Sequence, residues 1–150
     1  MGINERQQQI IDEFSAMADD DEGKDERWHR LIAYGAGLPP MPEEWKTERN
    51  RIKECASVVW LHAVLEDGHV KLFADGVPEA KVSKGLIALL LHVYNGATPQ
   101  EILDTSPDFI NRLGLSGRLL SMNRANGLAA MVKQIKMYAA VFQAMQKSGQ

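Results

Sequence analysis

Two runs rich in β-branched and aromatic residues flank an Asp-Gly pair near the middle of the chain. The first is Ser57-Val58-Val59-Trp60-Leu61-His62-Ala63-Val64-Leu65, the second is His69-Val70-Lys71-Leu72-Phe73-Ala74, and Glu66-Asp67-Gly68 joins them. Asp-Gly between such runs is a short-range signal for a β-hairpin, because its backbone accepts the positive φ angles of a tight primed turn. Upstream, Asn50-Arg51-Ile52-Lys53 reads as a further short strand, which would place Glu54-Cys55-Ala56 at the tip between two antiparallel strands. About three strands are then available, and the remainder of the chain reads as helix.

Ile3 to Ala18 reads as a helix, with Ile10, Ile11, Phe14 and Met17 on one stripe. Residues 19–26 hold no apolar side chain and are expected as a solvated loop whose latter part starts the next helix. That helix continues through Trp28, Leu31, Ile32 and Tyr34, with Gly35 and Gly37 expected to end it in the left-handed cap conformation. Leu38-Pro39-Pro40-Met41-Pro42 forces an extended connection, and Glu43 to Asn50 is open between short helix and loop. Pro78 to Tyr94 is helical and stops at Asn95-Gly96; Thr98-Pro99-Gln100-Glu101 is a capping box with proline at the first helical position. A short helix starts at Ser106-Pro107-Asp108 and ends at Gly114. Ser121 caps a last helix with Leu128, Met131, Val132, Ile135, Tyr138, Ala139 and Phe142 at helical spacing. Helices at both ends of a small antiparallel sheet make the class α+β. At 150 residues the chain is expected to form a single domain over 1–150, long enough to bury roughly 68–70% of its unfolded surface.

Composition excludes several functions. Lys plus Arg number 17 against 20 Asp plus Glu, a net charge of −3, which argues against a general nucleic-acid binder. The polar N-terminus has no apolar signal core, and Arg6 stands where a myristoylation string needs Ser or Thr. The longest apolar run, Leu86 to Leu91, falls far short of the ~20 residues that span a bilayer. The expectation is a cytoplasmic protein that engages neither membrane nor nucleic acid. A single cysteine rules out an intramolecular disulfide and a cysteine-rich zinc or iron–sulfur site within one chain.

Few residues carry chemistry. The four histidines, at 29, 62, 69 and 92, show no ligand spacing, although His62 and His69 could meet across the hairpin. The glycines at 114, 117 and 127 lack phosphate-loop order. The acidic stretch at 19–26 lacks the alternation of a calcium loop, and the seven methionines read as core filler. No metal and no cofactor is expected. Cys55 remains, either a small core residue or a reactive thiol. Its place at a predicted turn, with the small or polar neighbours Lys53, Glu54, Ala56 and Ser57, suits an accessible loop, and Arg51 and Lys53 would favour the nucleophilic thiolate. A Cys–His pair with His62 or His69 is also conceivable.

Cys55-Ala56-Ser57-Val58-Val59-Trp60 resembles the Cys-x-Ser-x-Val-Trp signature at the reactive cysteine of the SufE family, sulfur-acceptor proteins of iron–sulfur cluster assembly. The likeness extends in order over roughly residues 7–140. It takes in Trp28-His29-Arg30-Leu31-Ile32-Ala33-Tyr34-Gly35 and Leu38-Pro39. It continues through Lys84-Gly85-Leu86-Ile87-Ala88-Leu89-Leu90, Tyr94-Asn95-Gly96-Ala97-Thr98-Pro99-Gln100-Glu101-Ile102, Leu113-Gly114-Leu115 and Asn123-Arg124-Ala125-Asn126-Gly127-Leu128-Ala129-Ala130-Met131-Val132.

The resemblance implies an IscU-like fold and a partner, a SufS-like pyridoxal-phosphate cysteine desulfurase whose persulfide sulfur passes to Cys55 by thiol–persulfide exchange. It further implies stimulation of that desulfurase and onward transfer to a SufBCD-like scaffold, with Glu54, Ala56, Ser57, Asp75 and Arg124 around the partner contact. A homodimer is compatible with it. The sequence departs from the family pattern twice. Glu54 replaces a glycine, and a carboxylate beside the thiol raises its pKa. After the second strand, Ala74-Asp75-Gly76-Val77-Pro78 keeps only the first acid of the family's Ala-Asp-Ser-Asp, in a longer loop expected near the cysteine. The alternatives are an iron–sulfur scaffold or regulatory adaptor without persulfide relay, and a Cys–His hydrolase.

Overall fold

The Asp67-Gly68 pair turns the chain as its composition requires. In the computed structural model, which describes residues 2–115 and 120–149, β1 (Val59–Glu66) and β2 (His69–Gly76) pair antiparallel from Val59 opposite Gly76 to Glu66 opposite His69. Asp67 and Gly68 take φ of 52° and 78°, the left-handed values of a two-residue primed turn. Alternation does the rest. Val59, Leu61 and Ala63 on β1, and Val70, Leu72 and Ala74 on β2, are buried on one face.

The third strand expected at Asn50–Lys53 shrinks to a single bridge, Arg51 to Trp60, so the sheet of the described residues has two strands. The Ile52 N–H donates to the Val59 carbonyl at 2.9 Å and the Leu61 N–H to the Asn50 carbonyl at 2.8 Å. The ladder goes no further because the backbone is already committed to turns on both sides. The Arg51 N–H bonds the Thr47 carbonyl at 3.0 Å, and the Cys55 N–H bonds the Ile52 carbonyl at 3.2 Å.

Helices cover the apolar face in the order α1 (Ile3–Ser15), α2 (Asp21–Ala36), α3 (Lys81–Tyr94), α4 (Pro99–Asp104) and α5 (Met122–Ser148), with 3₁₀ turns at Glu43–Trp45 and Asp108–Arg112. The acidic segment belongs mostly to α2 rather than to a loop. Asp20 caps it, accepting from the Gly23 N–H at 2.8 Å, and Asp21 and Glu22 sit at the positive end of the helix dipole. Gly35 and Gly37 do not end α2 in a left-handed cap: the helix runs to Ala36, and Gly37 has φ −83°. Gly35 instead lets α2 and α3 touch. A Cβ there would meet the Gly85 nitrogen at 2.7 Å, and a Cβ on Gly85 would meet the Leu31 carbonyl oxygen at 2.4 Å. The capping box at Thr98 and the cap at Ser121 form as read.

α3 is the central pillar, with Leu86, Ile87, Leu89, Leu90, Val93 and Tyr94 all buried, and one continuous apolar core extends from Ile3 to Phe142. Buried Arg27 is satisfied by carbonyls, donating to Phe14, Met17, Ala18 and Leu113, so it ties the end of α1 to the chain leading toward α5. Gly117, one of the three glycines without phosphate-loop order, lies outside the described residues.

Candidate functional site

Cys55 lies on the loop between the Arg51–Trp60 bridge and β1. The root of that loop is pinned by buried Asn50. Its side-chain amide donates to the Trp45 carbonyl at 2.8 Å and lies 3.1 Å from His62 Nδ1, and the Tyr138 hydroxyl donates to its Oδ1. Gln134 donates to the carbonyls of Asn50 (3.4 Å) and Leu61 (3.1 Å). Two side chains of α5 thus hold the loop root against β1.

The thiol itself turns inward, and Cys55 is 7% exposed. Its seat is Gly127 in the body of α5, where an added Cβ would come within 2.8 Å of Sγ. Cys55, Ala56 and Ser57 open onto a cavity of about 390 Å³ whose other walls are Ser83 and Leu86 from α3 and Ser121, Asn123, Arg124 and Met131 at and beyond the start of α5. The cavity joins an acceptor-and-donor rim to an apolar floor.

Electrostatics run against the expectation that Arg51 and Lys53 favour the thiolate. Burial pushes the Cys55 thiol up to about 11, and the charge of Glu54 adds to that rise. The carboxylate effect foreseen for Glu54 is present but second to desolvation.

The structure brings together Cys55, Ala56, Ser57 and Arg124 and leaves two candidates outside the cavity. Glu54 is exposed and lines a separate open groove with Asn126, Ala129, Ala130 and Lys133. Asp75, opposite Trp60 on the hairpin, accepts from the N–H groups of Gly76 (2.8 Å) and Met41 (3.3 Å) and pairs with Lys46 (3.5 Å) and Lys84 (3.7 Å). Burial alone would raise its carboxyl, but these two N–H groups and two ammonium groups together hold it below the usual range.

His62 and His69 do not meet across the hairpin. His62 stacks on Trp45 at 4.4 Å and stands opposite Phe73, while His69 pairs with Glu66. Burial, then the charge of Arg49, lowers the His62 ring pKa. Among the described residues no histidine lines the Cys55 cavity, no three His, Cys, Asp or Glu side chains gather as a metal site, and no helix is long and apolar enough to cross a membrane.

Sequence reasoning missed Ser83, Met131 and above all Gly127. A glycine inside a helix costs about 1 kcal/mol against alanine, which is itself a sign of a packing or functional demand. What it packs against is 72 residues away and invisible in a linear reading.

A family model described as "SufE: Fe-S metabolism associated domain" matches residues 8–139. The chain belongs to the SufE family. Within it, the chain is 41% identical over 124 residues to an uncharacterized SufE-like protein of Synechocystis, covering 83% of this chain and 76% of that protein. It is 34% identical over 113 residues to the sulfur acceptor protein CsdE of Escherichia coli, covering 74% and 75%. The SufE fold is matched by the solution structure of a hypothetical protein from Thermus thermophilus, at TM-score 0.72 and 26% identity over 90% of this chain and 93% of that one.

Proposed function

We propose that this chain is a sulfur acceptor of iron–sulfur metabolism, a single domain whose reacting atom is Cys55 Sγ. The observation that carries the reading is the setting of that one thiol. It lies on a loop pinned at its root and faces a cavity large enough for an added sulfur atom and its donor groups. The similarity to a protein named a sulfur acceptor supports it.

The donor is a protein persulfide on a pyridoxal-phosphate cysteine desulfurase. Cys55 loses its proton, and the thiolate attacks the outer sulfur of the donor's persulfide. A new S–S bond forms at Cys55, the donor's S–S bond breaks, and the donor cysteine leaves as a thiolate that takes up a proton. No net oxidation occurs. With the thiol pushed up to about 11, the thiolate is scarce in the free protein. Transfer therefore requires the docked donor to change the surroundings of Sγ, by entering the cavity or drawing Cys55 off its Gly127 seat. Ser57, Ser121, Asn123 and Arg124 supply polar contacts to the sulfur or to the donor's segment. The loaded protein then delivers sulfur to a SufBCD-like scaffold in the cytoplasm, and its docking stimulates the desulfurase.

Incubation with a cysteine desulfurase and free cysteine, followed by intact mass, tests the transfer. The expected product is heavier by one sulfur atom, with the addition absent from Cys55→Ser. An unchanged mass with the desulfurase turning over would overturn the reading. The absence of a histidine from the described lining of the Cys55 cavity disfavours the Cys–His hydrolase.

A further inference from the structure

One carboxylate stands next to the reacting cysteine and takes no part in the cavity. Glu54 is exposed, has no salt-bridge partner among the described residues, and lines an open groove of about 540 Å³ along α5. Its other lining residues, Asn126, Ala129, Ala130 and exposed Lys133, all belong to α5. Asn126 and Lys133 are two turns apart on the helix, about 10 Å along its axis. The groove therefore carries a negative charge beside Cys55 and a positive charge on α5.

Building on the sulfur-acceptor reading, we propose that Glu54 and this groove select a sulfur donor whose reacting sulfur is flanked by a cationic side chain, the donor segment lying along α5 toward Lys133. The occupant is a protein strip of opposite polarity, lysine or arginine beside its persulfide and a carboxylate further along. Charge complementarity and continuity with the Cys55 loop both favour it.

The position of Glu54 makes recognition and activation one event. Its charge disfavours the Cys55 thiolate in the free protein. A donor cation resting on Glu54 cancels that charge at the moment the donor's sulfur arrives. Of the cationic side chains around the loop, Arg51 is already paired with Glu48 at 3.9 Å and Arg124 lines the Cys55 cavity rather than the groove. Transfer then follows the balanced exchange given above.

Two arms test this. In the first, the full chain reacts with small disulfides, each forming a mixed disulfide at Cys55 and releasing one thiol. The probes are dicationic cystamine and neutral bis(2-hydroxyethyl) disulfide. The cystamine-to-neutral rate ratio should fall about twofold to fivefold in Glu54→Gln, the range of an exposed charge pair. An unchanged ratio overturns the proposal. In the second, sulfur loading from a cysteine desulfurase should slow in the order wild type, Glu54→Gln, Glu54→Lys, and added salt should slow the wild type more than Glu54→Gln. Equal loading of all three, with Cys55 gaining sulfur, overturns the proposal and leaves the sulfur-acceptor reading standing. No sulfur on the wild type overturns that reading and the proposal with it.

Discussion

Replacing Gly127 by alanine drives a Cβ to within 2.8 Å of Cys55 Sγ, a separation that real Cβ atoms essentially never show. The next atoms, Cys55 Cα at 3.6 Å and Cβ at 3.8 Å, are in ordinary contact, so the sulfur alone must give way. Overpacking of this kind costs about 1–3 kcal/mol, while alanine in place of a helical glycine contributes about 1 kcal/mol in the other direction. The net effect on stability is therefore small, about 0–2 kcal/mol of destabilisation in a urea titration. The effect on the thiol is large. At about 11, roughly one Cys55 in a thousand is thiolate at pH 8. Each unit by which displacement from the helix lowers that value multiplies the thiolate tenfold. Gly127→Ala should raise the iodoacetamide alkylation rate at pH 8 about tenfold. A double-mutant cycle isolates the contact: in a Cys55→Ala background the same change should stabilise rather than destabilise. An alkylation rate equal to wild type in a folded Gly127→Ala protein would refute the view that α5 holds the thiol in its buried state.

Other consequences are equally direct. Asn50→Ala removes the partner of the Tyr138 hydroxyl and of His62 and frees the loop root, so it should lower stability by about 2–3 kcal/mol in urea and speed alkylation of Cys55. The Cys55 thiol, raised in the folded state, contributes stability that is fully present below about pH 8.5 and is lost as pH rises toward 11. Cys55→Ser should flatten that alkaline decline. Asp75 has the opposite sign. Its lowered carboxyl contributes above the ordinary aspartate range and loses that contribution as pH falls through its folded pKa, so the stability gap between wild type and Asp75→Asn should close in acid.

Much of the fold could be read from local signals because those signals are local in their physics. The Asp67-Gly68 turn, the Thr98 box and the Ser121 cap are each satisfied within three or four residues, and all three formed as read. Several departures fall where a distant partner decides. Gly35 looks like a helix stop until α3 presses against it through Gly85. Asn50 to Lys53 looks like a strand, but its backbone bonds are claimed by turns at Thr47 and Cys55. The same division holds at the site. Cys55, Ala56, Ser57 and Arg124, which the family resemblance groups at the partner contact, line one cavity. The expected rise from Glu54 is present, but the expected help from Arg51 and Lys53 is not, because burial against α5, which the linear sequence does not display, dominates the thiol. Asp75 is anchored instead by Met41, Lys46 and Lys84, brought to it by the chain folding over the hairpin.

Arrival of sulfur on Cys55 is read out by intact mass after incubation with a cysteine desulfurase and cysteine. The expected product gains one sulfur atom, which a thiol reductant removes and which Cys55→Ser never acquires. A wild-type protein that keeps its mass beside an active desulfurase would contradict sulfur transfer to Cys55.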